Sequence, residues 1–206
     1  MLTESRERRS WKIVLVILTV TVVLLSTACG CWLWEPRAPQ RPFTVQDLLM
    51  DQEIVPPGWE LSDPVFSVGD TLCTTECYRR GFRVSSSEGS IRYGRHNVYR
   101  YLSAGIAQRT FDHVYLAMSR SLEPTSEWTY QSPVAERSHF GCVRMGGPAN
   151  LFCEWGAQYE EFIVTFGVGL SSDELSPADR EHIEEIVRAI DARMEHYLNE
   201  PTEEGD

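Results

Sequence analysis

Hydrophobic and polar residues alternate most regularly in the last third of the chain. Every second residue from Phe162 to Leu170 is large and apolar, which predicts a β-strand with one face in a core. Downstream, apolar residues recur at intervals of three and four, and this spacing predicts an amphipathic helix. Ser176 before Pro177 is typical of a helix N-terminus, with the serine as N-cap. The apolar positions of this helix are Ile183, Ile186, Val187, Ile190 and Met194.

The middle of the chain shows the same order of strands followed by a helix. Clustered β-branched and aromatic residues predict antiparallel strands at 81–86, 90–94 and 97–102. Apolar residues at helical spacing then predict a helix over 103–121, which Pro124 ends. We expect two amphipathic helices to cover one antiparallel sheet, so the predicted fold class is α+β.

A hairpin is predicted around a glycine-rich turn. Residues 140–145 and 150–155 have the composition of strands, and Gly147-Pro148 lies midway between them. If this dipeptide centres the hairpin, Cys142 lies opposite Cys153. Facing Cβ atoms of antiparallel strands are ~4.5–5.5 Å apart, so a modest adjustment allows a disulfide.

Four cysteines follow the N-terminal segment, and their even number predicts two disulfides in an exported domain. If Cys142 pairs with Cys153, then Cys73 pairs with Cys77, and residues 73–77 must be an irregular loop. The two crossed pairings remain open. A zinc site that combines Cys73, Cys77, His139 and Cys142 lacks the usual short thiolate spacing in its second half.

The first 34 residues are typical of an export signal. Basic residues precede an apolar run that begins at Ile13, which places the N-terminus in the cytoplasm. The sequence Leu25-Ser26-Thr27-Ala28-Cys29 resembles the lipobox of bacterial lipoproteins, and this resemblance implies that Cys29 is acylated. In an alternative interpretation, the 22 uncharged residues from Ile13 to Trp34 form a membrane-spanning helix. A third interpretation is a fully released protein; all three interpretations export the remainder.

These signals divide the chain into four parts: an anchor at 1–34, a linker at 35–42, an extracytoplasmic domain at 43–200 and an acidic tail at 201–206. The linker has three prolines in eight positions, which predicts a stiff spacer. At the start of the domain, Thr44 with Asp47 is typical of a capped short helix.

The charge of the exported part limits its partners. Residues 35–206 contain 15 Arg against 28 Asp and Glu, a net charge of −13. This charge argues against nucleic acid and anionic lipid surfaces as partners. The sequence contains no nucleophile elbow, phosphate loop or HExxH motif, so it predicts neither a catalytic residue nor a cofactor.

Two local groups are candidates for ligand binding. Arg79, Arg80 and Arg83 form a basic cluster that could bind a carboxylate or phosphate, although a solvated loop would have the same composition. Tyr99 and Tyr101 share one strand face and could line a groove for a lipid, glycan or peptide. The competing interpretation is that both tyrosines pack in the core.

The order of export anchor, proline-rich spacer, a short opening that ends at Pro56-Pro57-Gly58-Trp59, and strands alternating with helices resembles the extracellular sensor-like domains of the PknH type. These domains terminate bacterial receptor kinases and also occur as free lipoproteins. The resemblance covers residues 80–198. It implies a sheet with packed helices, two disulfides and a ligand-binding cleft, but no binding residue can be transferred by position.

The leading hypothesis is a membrane-anchored extracytoplasmic domain without catalytic activity, which binds a small ligand or a partner protein. It would reach the membrane through its lipid or its N-terminal helix. A secreted hydrolase with an unrecognised site and a structural envelope protein are the alternatives. A cleft with convergent His, Asp, Glu or Ser groups would favour the hydrolase, whereas aromatic and aliphatic walls would favour binding.

Overall fold

The computed structural model describes residues 36–66, 74–84, 90–115, 128–145 and 150–199. These residues confirm the α+β fold class: they form a seven-stranded antiparallel sheet and two helices. Among them, no helix combines the length and apolar character needed to cross a membrane.

The strand that comes last in the sequence, β7, lies near the middle of the sheet. The spatial order is β1-β3-β4-β7-β6-β5, and β2 also pairs with β3. The strands are β1 (Trp59–Leu61), β2 (Val65–Phe66), β3 (Thr74–Val84), β4 (Ile91–Tyr101), β5 (Arg137–Arg144), β6 (Leu151–Tyr159) and β7 (Phe162–Leu170).

The helix α1 (Ala104–Thr110) continues as a π-helical turn over Phe111–Tyr115, and α2 spans Pro177–Leu198. The predicted N-terminus of α2 is confirmed, because the Ser176 side chain accepts a hydrogen bond from the Asp179 amide. The predicted helix over 103–121 exists as α1 and its π-helical turn. The remainder of that prediction lies outside the described residues.

Hydrophobic clusters lie on both faces of the sheet. The first face carries Val98, Trp155 and Val164, which form one core with the apolar stripe of α2. The second face carries Ile163, which forms a smaller cluster with Tyr101 and residues of α1. Because Ile163 and Val164 are consecutive in β7, the two helices contribute to cores on opposite faces.

The predicted hairpin is confirmed in its register. Cys142 is the direct partner of Cys153, and a disulfide joins them with their Cα atoms 4.0 Å apart. The turn residues 146–149 and Cys73 lie outside the described residues. The predicted loop at 73–77 is wrong where the structure describes it, because residues 74–77 belong to β3.

The predicted break between strands 90–94 and 97–102 is also wrong, because both belong to β4. Gly94 and Asn97 suggested a turn, but each has a role within the sheet. A β-carbon at Gly94 would lie 2.1 Å from a ring atom of Phe82. The Asn97 amide donates to the Thr165 hydroxyl at 2.7 Å. The predicted strand at 81–86 likewise starts earlier, at Thr74.

The predicted short helix after Thr44 is a series of turns. The predicted capping contact is present, since the Thr44 amide and hydroxyl both donate to the Asp47 carboxylate. However, the Met50 amide donates to the His96 imidazole at 3.0 Å instead of continuing a helix. This segment therefore packs as an irregular buried layer on the first face.

Part of the predicted spacer lies against the domain. The Ala38 amide donates to the Leu102 carbonyl at 2.7 Å. The Arg41 guanidinium donates two hydrogen bonds to the Glu161 carboxylate in a bidentate ion pair, at 3.0 and 2.9 Å. Because Glu161 is almost completely buried, this ion pair fixes the segment to the turn between β6 and β7. Residues 38–41 are therefore not a free spacer.

Candidate functional site

The structure brings four of the five predicted ligand-binding residues onto the second face. Strand β3 places Arg79 and Arg83 there, and β4 places Tyr99 and Tyr101 there. Facing residues of neighbouring strands project to the same side, and Tyr99 is the direct partner of Ile163. The basic and aromatic candidates therefore share one surface.

Arg80 is the exception, because it projects to the first face opposite His96. Its guanidinium donates to the Met50 carbonyl at 2.6 Å. This contact fixes the segment that covers the first face. Arg80 therefore has a structural contact and stands apart from Arg79 and Arg83.

The two predicted tyrosines pack against α1 to different extents. Tyr101 is 4% exposed and belongs to the small core with Ala107 and Phe111. Tyr99 is half-buried at the margin of the same cluster. The competing interpretation, packing in the core, therefore holds for Tyr101. Of the two tyrosines, only Tyr99 has exposed surface that could contact a ligand.

A third arginine joins the surface from β4. Arg95 is the direct partner of Gly81, and Arg79 and Arg83 lie two residues to either side of that glycine. Diagonal neighbours across antiparallel strands are ~7–8 Å apart, so the three side chains surround Gly81. Arg79, Arg83 and Arg95 are called the arginine cluster below.

The charges around the arginine cluster are few. Arg79 donates to the neutral Asn97 side chain at 2.6 Å, and Arg95 lies 3.7 Å from the Glu154 carboxylate. Glu60 on β1 is opposite Arg83 in the register. Among the described residues, Arg83 makes no ion pair. The cluster is therefore cationic in a domain that is acidic as a whole.

Glu154 is a half-buried carboxyl group on the floor of this surface. Its side chain is 15% exposed, whereas that of Arg95 is 46% exposed. Burial raises the pKa of Glu154, and the nearby Arg95 opposes this shift. Burial beside Glu154 also raises the pKa of the Tyr115 hydroxyl well above its usual value. The guanidinium of Arg95 lies 5.5 Å from the ring centre of Phe152, at cation–π distance.

Glycines allow aromatic rings to lie on this part of the sheet. A β-carbon at Gly156 would be 2.2 Å from the Tyr115 ring, and one at Gly167 would be 2.6 Å from the Phe152 ring. Tyr93 covers Gly169 in the same way and is still 40% exposed. The surface thus combines exposed cations with an accessible aromatic ring.

Tyr93 and Arg95 were not predicted as site residues, because the predicted strands were separated at Gly94–Asn97 within what is one strand, β4. A two-residue period runs through Tyr93, Arg95, Asn97, Tyr99 and Tyr101 and could have placed all five on one face. By contrast, no local signal identifies Glu154, because its burial depends on residues of β4 and the π-helical turn.

Of the remaining predicted site residues, some lie within the described residues and others do not. Cys29 lies outside the described residues, so its lipidation stays a prediction. Cys77 is buried on the second face opposite Tyr99. In the described ranges, no group of three His, Cys, Asp or Glu residues could hold a metal ion.

No protein-family model matches the chain, and no curated protein matches it. Among solved structures, the chain is similar to the extracellular domain of PknH from Mycobacterium tuberculosis. The sequences are 10% identical and the TM-score is 0.44, over 76% of this chain and 100% of that domain. The weak resemblance to PknH-type domains that the element order suggested is confirmed to this extent.

Proposed function

We propose that this chain is a membrane-anchored extracytoplasmic domain that binds a small ligand or a partner protein without catalysing a reaction. The arginine cluster is its binding surface, and the group recognised is a carboxylate or a phosphate. Guanidinium groups suit such anions because they present several N–H donors in a planar fork.

The observation that carries this proposal is the arrangement of three arginines around Gly81. Arg83 is exposed and has no ion pair among the described residues, and Arg95 is only loosely paired with Glu154. The exposed ring of Tyr93 lies directly across from Arg83. An anion with an apolar body would therefore find donors and a ring surface on the same face.

Binding fits this cluster better than catalysis. Arginine side chains remain protonated at all physiological pH values, so they hold an anion but do not exchange protons with it. The disulfide between Cys142 and Cys153 supports an oxidising compartment outside the cytoplasm. The export signal in residues 1–34 supports the same location.

A titration with citrate, a small tricarboxylate, tests the binding surface. We expect saturable binding to the full-length protein that weakens as salt is raised. The variants Arg83→Gln and Arg95→Gln should each weaken binding about tenfold, because each removes a charge-assisted hydrogen bond. Arg144→Gln on β5 is the matched control, since Arg144 is exposed and lies three strands from Arg95. Equal affinities in all four proteins, or no saturable binding, would contradict the proposal.

Intact-mass analysis of the membrane-extracted protein tests the anchor separately. We expect a mass that lacks residues 1–28 and carries a lipid on Cys29. A mass that includes residues 1–28 would instead support a spanning N-terminal helix. Recovery of unlipidated protein from the soluble fraction alone would contradict both forms of anchoring.

A further inference from the structure

Strand β5 forms one edge of the sheet, and its hydrogen-bond pattern can be assigned. The Met145 amide donates to the Asn150 carbonyl at 2.9 Å, so this pair is hydrogen-bonded. Hydrogen-bonded and non-hydrogen-bonded pairs alternate in an antiparallel ladder. Cys142 and Cys153 therefore form a non-hydrogen-bonded pair, in agreement with their short Cα separation of 4.0 Å.

The same alternation fixes the direction of the backbone groups further along β5. Ser138 and Phe140 occupy non-hydrogen-bonded positions like Cys142, so their N–H and C=O groups point away from β6. No strand in the described residues pairs with β5 on that outer side, and no hydrogen bond of the described residues uses these groups. Such an edge is a template for another extended chain.

A cavity of about 400 Å³ adjoins this edge. Its aromatic wall consists of Trp128, Tyr130 and Phe140, with Trp128 stacked on Phe140 at 4.0 Å between ring centres. Ser138 and His139 of β5 also line it. Burial lowers the pKa of His139, so the imidazole is neutral and adds hydrogen-bonding capacity without a charge. Most of the other lining residues are polar or charged, namely Gln131, Ser132, Glu136 and Arg137. The cavity therefore suits an aromatic side chain that also carries a hydrogen-bonding group, such as tryptophan or tyrosine.

We propose that an extended peptide segment of a partner protein binds here as an additional strand beside β5. The segment pairs with the outward backbone groups of Ser138 and Phe140, and one of its tryptophan or tyrosine side chains occupies the cavity. This mode combines main-chain hydrogen bonds with a side-chain pocket. A peptide fits better than a sugar or a lipid, because the outward N–H and C=O groups repeat with the two-residue period of a strand.

The net charge of the exported part limits the charge of the peptide segment that can bind. Residues 35–206 have a net charge of −13, so an acidic segment would be repelled. Arg137 at the start of β5 is already paired with Asp112 and offers no unpaired cation. The expected segment is uncharged or basic, with one tryptophan or tyrosine where the strand passes the cavity, which Glu136 also lines. This site is separate from the arginine cluster, and the proposal does not depend on it.

The probe is a blocked hexapeptide of alternating Thr and Val with one central Trp, titrated into the oxidised full-length protein. Ser138→Pro removes one outward N–H, and proline is tolerated at edge positions whose N–H faces outward. We expect this variant to bind the hexapeptide about tenfold more weakly than the wild type. Ser138→Ala is the matched control, because it retains the N–H and should bind like the wild type.

A second measurement uses only the wild-type protein, so it does not depend on how the proline variant folds. Six hexapeptides, each N-methylated at a different residue, should lose affinity with a period of two, because alternate amides face β5. A loss without this period would overturn strand addition, as would unchanged binding by Ser138→Pro. Equal affinity for N-acetyltryptophanamide would reduce the site to a side-chain pocket, and the absence of saturable binding up to about 1 mM would refute it altogether.

Discussion

Cys142 and Cys153 face each other at a non-hydrogen-bonded pair of the β5–β6 hairpin, and their disulfide joins residues 11 apart in sequence. Closing a loop of this length restricts the unfolded chain and stabilises the fold by roughly 3 kcal/mol. The double variant Cys142→Ala/Cys153→Ala should lose about this free energy of unfolding in urea titrations. Alanine is chosen because both positions are buried and a serine hydroxyl there would add its own cost. A loss below about 0.5 kcal/mol would contradict the expected role.

Ile186 tests the packing of α2 on the first face. It is 1% exposed within the main hydrophobic core, so Ile186→Asp buries a charge without a partner and should cost several kcal/mol. Val187→Asp should behave in the same way. Thermal unfolding is the measurement, and Glu185→Gln at the exposed neighbouring position is the control. Unchanged stability of the aspartate variants would show that the stripe faces solvent.

His96 makes stability depend on pH. Burial lowers the pKa of His96 to about 3, and Arg193 and Arg80 act in the same direction. An unfolded histidine has a pKa of about 6.5, so the unfolded chain binds more protons between these two values. The free energy of unfolding should therefore fall as pH decreases from about 6.5 towards 3.

The variant His96→Asn isolates this effect, because its side-chain oxygen can accept the Met50 amide without titrating. Its stability should fall less steeply than that of the wild type between about pH 7 and pH 5. His182→Asn is the control, since His182 is exposed on α2. Parallel pH profiles for the wild type and His96→Asn would show that His96 does not cause the dependence.

Asp191 is a buried acceptor that connects α2 to the sheet. Its carboxylate accepts hydrogen bonds from the hydroxyls of Tyr130, Tyr159 and Ser132. Asp191→Asn removes the charge and one acceptor oxygen, so we expect a loss of about 3 kcal/mol in urea unfolding. Glu184→Gln should cost under about 1 kcal/mol, because its ion pair with Arg188 is exposed. Similar losses for both variants would contradict a special role for Asp191.

Local patterns predicted the elements whose signals are complete within a few residues. The strand at 162–170, the N-terminus of α2 and the hairpin register that pairs Cys142 with Cys153 are all of this kind. The break in β4 was predicted wrongly because a glycine such as Gly94 is common in turns but also occurs in strands where a neighbouring side chain needs space. It suggests a turn in sequence, but here it makes room for the Phe82 ring from the neighbouring strand.

The candidate site was predicted only in part for the same reason. Arg79, Arg83 and Tyr99 were selected from composition, but their common face depends on the register between β3 and β4. Arg80 was included because it follows Arg79 in a basic stretch of the sequence. In a strand, however, adjacent side chains project to opposite faces. Arg95 shares this face because β4 is one continuous strand from Ile91 to Tyr101.

The position of β7 has a consequence for how the chain folds. β7 is the last strand in sequence, yet it lies between β4 and β6 and all its residues are buried. The β3–β4 hairpin and the β5–β6 hairpin are local, but they join only when β7 enters between them. During synthesis from the N-terminus, one long edge of β4 therefore stays unpaired until the chain has been made as far as Leu170, the last residue of β7. We expect this late, long-range pairing to limit the folding rate and to be the stage most open to aggregation.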